Sequence, residues 1–188
     1  AIRNYENFIK DSSYSVKFDS VIFRNDRITL SNFLFNKLNN GQIINTFSVP
    51  RFSLEGLSWD SLVFEKKLKA RQALMEQPHI SYTASGKRTR QQSEQNFFQS
   101  LGTVNDFMDL EKLDIINGNI DLRLKDNLQI QLDNATLSVQ SHSLLTSTRI
   151  SGIKNSLTSL QFDRGKIQAG NLLINLDGIR YAGEEGKF

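Results

Sequence analysis

The sequence predicts a mainly β protein (α+β by content): an extended, twisted antiparallel sheet of repeated hairpins, carrying one longer and one short helix. Three observations support this. Apolar and polar residues alternate over most of the chain, as in Ile120, Leu122, Leu124 and again in Leu128, Ile130, Leu132. Phe, present 13 times, joins many Ile, Val and Thr residues that suit a pleated surface. One phrase recurs at 21–28, 73–80, 113–120 and 160–167. In each copy apolar residues stand seven and five places before a closing Ile, with Asn-Asp, Gln-Pro, Asn-Gly or Arg-Gly between them. Such self-similarity reads as one hairpin unit reused along a sheet.

From the N-terminus, residues 5–38 read as an opening hairpin. Tyr14, Val16 and Phe18 alternate on the way out, and Ile28 to Phe35 returns. Asn39-Asn40-Gly41 is a turn. The next strand, Ile43 to Leu57, contains Pro50, which lacks a ladder donor and suits an edge or a bend. Residues 58–64 form the short helix, capped by Ser58, with Trp59, Leu62 and Val63 on one face. The polar stretch 85–95 reads as an exposed loop. The longer helix is expected over 94–110, where Phe97, Leu101, Val104 and Met108 follow helical spacing. Gly102 costs that helix roughly 1 kcal/mol against Ala. From Leu113 to Tyr181 the chain reads as strand after strand, turning at Asp126-Asn127.

About ten strands at ~4.8 Å spacing make a sheet nearly 50 Å wide. A helix of about 17 residues is ~25 Å long and ~10 Å across, too small to cover the dry face. Three solutions follow. The sheet curls into a groove, sandwich or partial barrel; another part of a parent protein or a second copy covers it; or it takes an apolar ligand such as a lipid chain.

At 188 residues the chain is expected to be one β-rich domain, and it reads as a fragment of a longer protein. A net charge of +3 is too small to argue for nucleic acid. With no cysteine there is no disulfide framework, zinc ribbon or thiol nucleophile. No apolar run approaches the ~18 residues of a membrane-spanning helix.

No catalytic or metal motif stands out. His79 and His142 lack ligand spacing, and phosphate-binding glycine loops and calcium-loop spacings are absent. Asp106, Asp109 and Glu111 cluster at the expected end of the longer helix, where solvation explains them better than acid–base chemistry. The chain is therefore read as a non-enzyme with no cofactor. Two basic segments, Lys66, Lys67, Lys69 with Arg71, and Lys87, Arg88 with Arg90, are candidates for lipid-headgroup contact.

The stretch 54–80, from Leu54-Glu55-Gly56-Leu57-Ser58-Trp59 to Gln77-Pro78-His79-Ile80, resembles AsmA-like proteins of the bacterial envelope. Residues 113–121, with Asn117-Gly118 at their centre, are similar to the same family's strand–turn–strand element. The resemblance extends to TamB and the bridge-like lipid-transfer proteins. It implies a periplasmic or cell-envelope protein, anchored in the inner membrane in full-length form. It also implies a role in outer-membrane biogenesis or phospholipid transport along an apolar β groove, with lipid or another part of the parent protein as partner. Ile120, Leu122, Leu124, Leu128, Ile130 and Leu132 are the candidate lining of such a groove. The alternative reading is an adhesion or interaction module whose 85–95 loop binds protein or glycan.

Overall fold

A computed structural model describes residues 2–9, 14–39, 41–65, 68–83, 108–124, 127–141 and 156–183. They form ten strands and one short helix. The strands are β1 (Ile2–Ile9), β2 (Tyr14–Arg24), β3 (Arg27–Asn39), β4 (Gln42–Glu55), β5 (Leu68–Glu76) and β6 (His79–Thr83). After the crossover come β7 (Met108–Arg123), β8 (Leu128–Gln140), β9 (Leu157–Ala169) and β10 (Leu172–Ala182), and α1 spans Trp59–Phe64.

All ten strands belong to a single sheet, in the order β1-β2-β3-β4-β5-β7-β8-β9-β10. β6 continues the course of β5: both lie antiparallel to β4 and parallel to β7, in an unchanged register. The sheet therefore has nine lanes, with β1 and β10 as its edges. Among the described residues it neither closes into a barrel nor doubles back as a sandwich. Every junction is antiparallel except the one onto β7. A parallel junction needs a long crossover, and residues 84–107 make that connection.

The repeated phrase is not a repeated hairpin. Only its first copy is one: Arg24 pairs with Arg27 across Asn25-Asp26, and Asn25 has φ 48°. The other three copies lie within lanes. Gln77-Pro78 separates β5 from β6, Asn117-Gly118 sits in the middle of β7, and Arg164-Gly165 in the middle of β9. Apolar residues five apart cannot share a face of an unbroken strand, whose side-chain period is two. The odd spacing marks a local break in alternation, not a reversal of the chain.

This break crosses the whole sheet. Two apolar residues stand three apart, separated by a short doublet, in every lane from β2 to β10. The pairs are Phe18 and Val21, Leu30 and Phe33, Val49 and Phe52, Met75 and Pro78, Ile115 and Gly118, Leu132 and Ala135, Phe162 and Gly165, Leu176 and Ile179. The doublets are in register: Asp19 falls opposite Asn32, Asn32 opposite Pro50, Pro50 opposite Gln77, and Gln77 opposite Asn117. Between β7 and β8 the pairing shifts around Gly118, and the line resumes at Asn134, Asp163 and Gly178. Asn4 of β1 occupies the same register position opposite Asp19.

Backbone conformation marks the step in five of these eight lanes. Asn32, Gln77, Asn117, Asn134 and Gly178 have φ between 50° and 56° (50°, 53°, 53°, 52° and 56°). A left-handed residue inside a strand breaks the two-fold alternation and moves the following side chains to the other parity. Asn tolerates this region because its side chain bonds locally. Here those bonds tie one lane to the next. Asn32 Nδ2 donates to Asp19 Oδ2 at 2.7 Å and Asn134 Nδ2 to Asp163 Oδ2 at 2.8 Å. The Asn117 amide donates to Thr136 Oγ1 at 3.1 Å, and the Asn134 amide to Asn119 Oδ1 at 3.3 Å.

We call this line the seam. Its apolar side is tightly filled by small residues: Val49 is 1% exposed, Ala135 0%, and Pro78 and Gly118 are buried. Asn117→Val, which places a β-branched residue in the left-handed region, is expected to cost roughly 1–2 kcal/mol, and Asn117→Gly much less. Urea unfolding of the two variants checks this; equal losses would show that φ is not the cause.

The main core centres on β4, β5 and β7. Phe52, Leu54, Leu57, Ala70, Ala73 and Leu110 are buried there, with Ile28, Leu30, Phe33 and Met75 against them. Phe33 stacks on Phe52 with ring centres 5.5 Å apart. Pro50 thus lies in a central lane, at the bend, and not on an edge.

The short helix forms as expected. The Ser58 side chain accepts from the Ser61 amide at 3.3 Å, and Asp60 complements the first turn. Trp59 and Val63 are not buried as amphipathicity predicts: they are 39% and 64% exposed. Trp59 secures it instead, donating from Nε1 to the Asn25 carbonyl at 2.8 Å beside Phe23. The longer helix expected over 94–110 falls mostly on residues 94–107, outside the described residues. Its predicted end does not hold, because Met108, Asp109 and Leu110 open β7. The 85–95 loop also lies outside the described residues.

Candidate apolar binding face

β7 and β8 bring all six candidate groove residues together. Ile120 pairs with Leu132 and Leu122 with Ile130, and the Leu124 amide donates to the Leu128 carbonyl at 2.7 Å. All six side chains are half-buried. Alternation past the seam puts them on one face.

The patch is part of a wider pattern that only the register reveals. On one side of the seam an apolar row runs through Val16, Phe35, Phe47, Ile80, Ile120 and Leu132, then Gly165 and Leu176. On the other side a second row runs through Val21, Leu30, Phe52, Met75, Ile115, Leu137, Leu160 and Tyr181. Ile2 of β1 is in register with Val21, so this row reaches both edges. A third row passes through Phe23, Ile28, Leu54, Ala73, Leu113, Val139 and Leu157. In these rows one face is apolar from β5 and β6 to β10, whereas toward β1 the row through Ile130, Leu122 and Tyr82 meets Asn45 and Lys37, and Asn7 stands opposite Val16.

The opposite face is mostly polar, with Ile22, Leu34, Leu74, Ile116 and Leu173 among its residues, and holds its charges in exposed or half-exposed pairs. Arg27 meets Glu55 at 2.8 Å, Arg51 meets Glu76 at 3.1 Å, and Arg164 meets Asp133 at 3.3 Å. Such pairs contribute little stability each, but they keep this face wet.

The structure does not assemble the basic candidates into one site. Lys66, Lys67, Lys87, Arg88 and Arg90 lie outside the described residues. Lys69 is engaged by Glu65 at 2.8 Å, and this hydrogen bond and charge raise its pKa, with a smaller contribution from Asp109. Arg71 is exposed and its amide bonds to the Gly56 carbonyl at 3.3 Å, closing the turn that leads into α1.

Asp109 and Glu111 stand on β7, not on a helix as the spacing suggested, and Asp106 lies outside the described residues. His79 opens β6 and is exposed, not in a hairpin turn. Among the described residues no three His, Cys, Asp or Glu side chains are placed to hold a metal ion, and no helix is long and apolar enough to cross a membrane.

On the apolar side the titratable group of note is Tyr82, in register with Leu122 and pushed above its usual pKa of 10.0 by burial. The unfolded chain loses this proton first as pH rises. The folded state then binds more protons than the unfolded one, so stability falls with pH above about 10. Tyr82→Phe is expected to flatten that decline, read by denaturant unfolding on both sides of pH 10; an unchanged slope would exclude Tyr82 as its source.

The seam was missed from sequence, although its signal was present in the apolar spacing of three that recurs in each lane. No protein-family model, curated protein or solved structure matches the chain. What the fold and this face define is a β-sheet protein with a single hydrogen-bonded layer and one side that is largely apolar.

Proposed function

We propose that this chain is a non-enzymatic cell-envelope module of AsmA-like type, whose apolar face forms a β groove that carries phospholipid acyl chains. In this reading it serves outer-membrane biogenesis or phospholipid transport in the periplasm, held to the inner membrane through a longer parent protein. The observation that carries it is the pair of apolar rows that cross β7 and β8 at Ile120 with Leu132 and at Leu122 with Ile130 and run on to Leu176 and Ile174 of β10. Acyl chains need a continuous apolar track and no directional partners, which such rows supply. A merely structural face would be expected to end at the edges in charged or proline-bearing strands, as edge protection requires. The apolar pattern instead runs out to β10, where Leu172, Ile174 and Ile179 are exposed. The adhesion alternative rests on residues 85–95, outside the described residues.

The test is native mass spectrometry of the gently purified chain, with lipid extraction alongside. The expected result is co-purifying phospholipid that falls by at least about tenfold in Leu122→Lys with Ile130→Lys, with an unchanged far-UV spectrum. Lipid-free protein from a lipid-replete preparation would overturn the reading.

A further inference from the structure

β10 is an edge strand of 11 residues with neither Lys nor Pro, and it carries large exposed apolar side chains. Leu172 is 59% exposed, Leu173 51%, Ile174 40% and Ile179 37%. Long apolar edges invite another strand. We propose that β10 pairs antiparallel with β10 of a second copy of this chain, across a two-fold axis between Asp177 and Gly178, joining two sheets into one. This stands independently of the lipid reading.

The self-complementarity comes from the seam. The faces of β10 are set by its partners on β9: Ile174 lies opposite Ile167, Leu176 opposite Gly165, Ile179 opposite Phe162 and Tyr181 opposite Leu160. Asn175, Asp177 and Arg180 lie opposite Lys166, Arg164 and Gln161, on the polar side. Residues directly opposite in an antiparallel pair point to the same face. Because β10 changes phase at Gly178, a register centred on a single residue there would set Leu176 against Arg180. A register centred between Asp177 and Gly178 sets Leu176 against the partner's Ile179 and Ile174 against the partner's Tyr181, each twice by symmetry. On the polar face it sets Asn175 against the partner's Arg180. It also leaves Asp177 diagonal to that arginine, within reach of a long side chain. The axis falls at the middle of the strand, so nearly its whole length pairs.

The other edge fits less well. Aligning Ile2 of β1 with Tyr181, to continue the row they share, would put Asn4 and Asn7 opposite Ile179 and Leu176. It would also be a head-to-tail contact that grows without closing, whereas the β10 pair closes as a dimer. Across the β10 junction the apolar rows of both copies would run on, doubling the width of the face.

The chain has no cysteine, so introduced thiols report without background. Leu176→Cys and Ile179→Cys chains, purified separately, are mixed and oxidised; the expected dominant product is the 176–179 mixed disulfide. Sedimentation of the unmodified full chain is expected to show a reversible dimer, with a dissociation constant weakened by at least about tenfold in Ile174→Lys, an exposed position where folding is retained by far-UV spectroscopy. Three results would overturn the proposal: a monomer at every concentration, a dimer indifferent to Ile174→Lys, or preferential cross-linking of Leu176→Cys to Asn7→Cys. An apolar face occupied by lipid in a monomeric chain would also overturn it while leaving the lipid reading intact.

Discussion

Phe52→Ala is expected to remove about 3–5 kcal/mol of folding stability. The side chain is 5% exposed, stacks on Phe33, and stands between Leu30 and Met75 in the row that runs through the sheet. Truncation to Ala leaves a void lined by β3, β4 and β5, and a hydrogen-bonded sheet cannot collapse into it without breaking its ladders. Phe52→Leu, which keeps most of the volume, should lose much less. Guanidinium unfolding with a constant denaturant slope is the measurement. A loss below about 1 kcal/mol for Phe52→Ala would mean that this row is not packed as described.

The second large effect is expected at the seam. A Cβ on Gly118 would lie 2.8 Å from Ile115 Cγ2 and 2.9 Å from Pro78 Cγ. Neither neighbour yields easily: Ile115 is 5% exposed within the core row, and the Pro78 ring is rigid and buried. Gly118→Val should therefore cost about 1–3 kcal/mol through overpacking. Adding Ile115→Ala should restore part of this, because it removes one of the two clashes. A double-mutant cycle with no coupling between positions 115 and 118 would contradict the close approach. Gly165 repeats the arrangement on β9, where a Cβ would meet Phe162 Cε2 at 2.8 Å and Leu132 Cδ2 at 3.2 Å. The glycines of the phrase are thus present for want of space beneath a large side chain three residues earlier, not to turn the chain.

That reassignment explains why the sequence reading identified the repeated unit but mistook its form. Locally, Leu113-Asp114-Ile115-Ile116-Asn117-Gly118-Asn119-Ile120 satisfies a hairpin: two apolar residues, an Asn-Gly turn signal and a resumed alternation. The same residues equally satisfy a strand that skips one position. What separates the two is the identity of the neighbouring lanes. Asn117 is held by Thr136 of β8 and in register with Gln77 between β5 and β6, and both are distant in sequence. The first copy, at Arg24-Asn25-Asp26-Arg27, has the same local appearance and does reverse. The six candidate residues on β7 and β8 were legible for a simpler reason. Ile120 to Leu124 and Leu128 to Leu132 alternate strictly and stand only three residues apart in the chain, so their pairing is local. The longer apolar rows were not legible, because each joins residues from as many as nine lanes.

Alternation, aromatic and β-branched content and turn signals were enough, from the amino-acid sequence alone, to establish a β-sheet protein of about ten strands with a short helix capped at Ser58. These are near-neighbour properties, set by side-chain period and by backbone preference over a few residues. Only the tertiary structure decided that the sheet is one open layer, that β5 and β6 share a lane, that β7 joins them in parallel, and that every lane from β2 to β10 changes phase at one line. Those outcomes depend on hydrogen-bond register between segments far apart in the chain. A one-residue change in register exchanges the faces of a strand, so the register of the whole sheet determines which side is apolar.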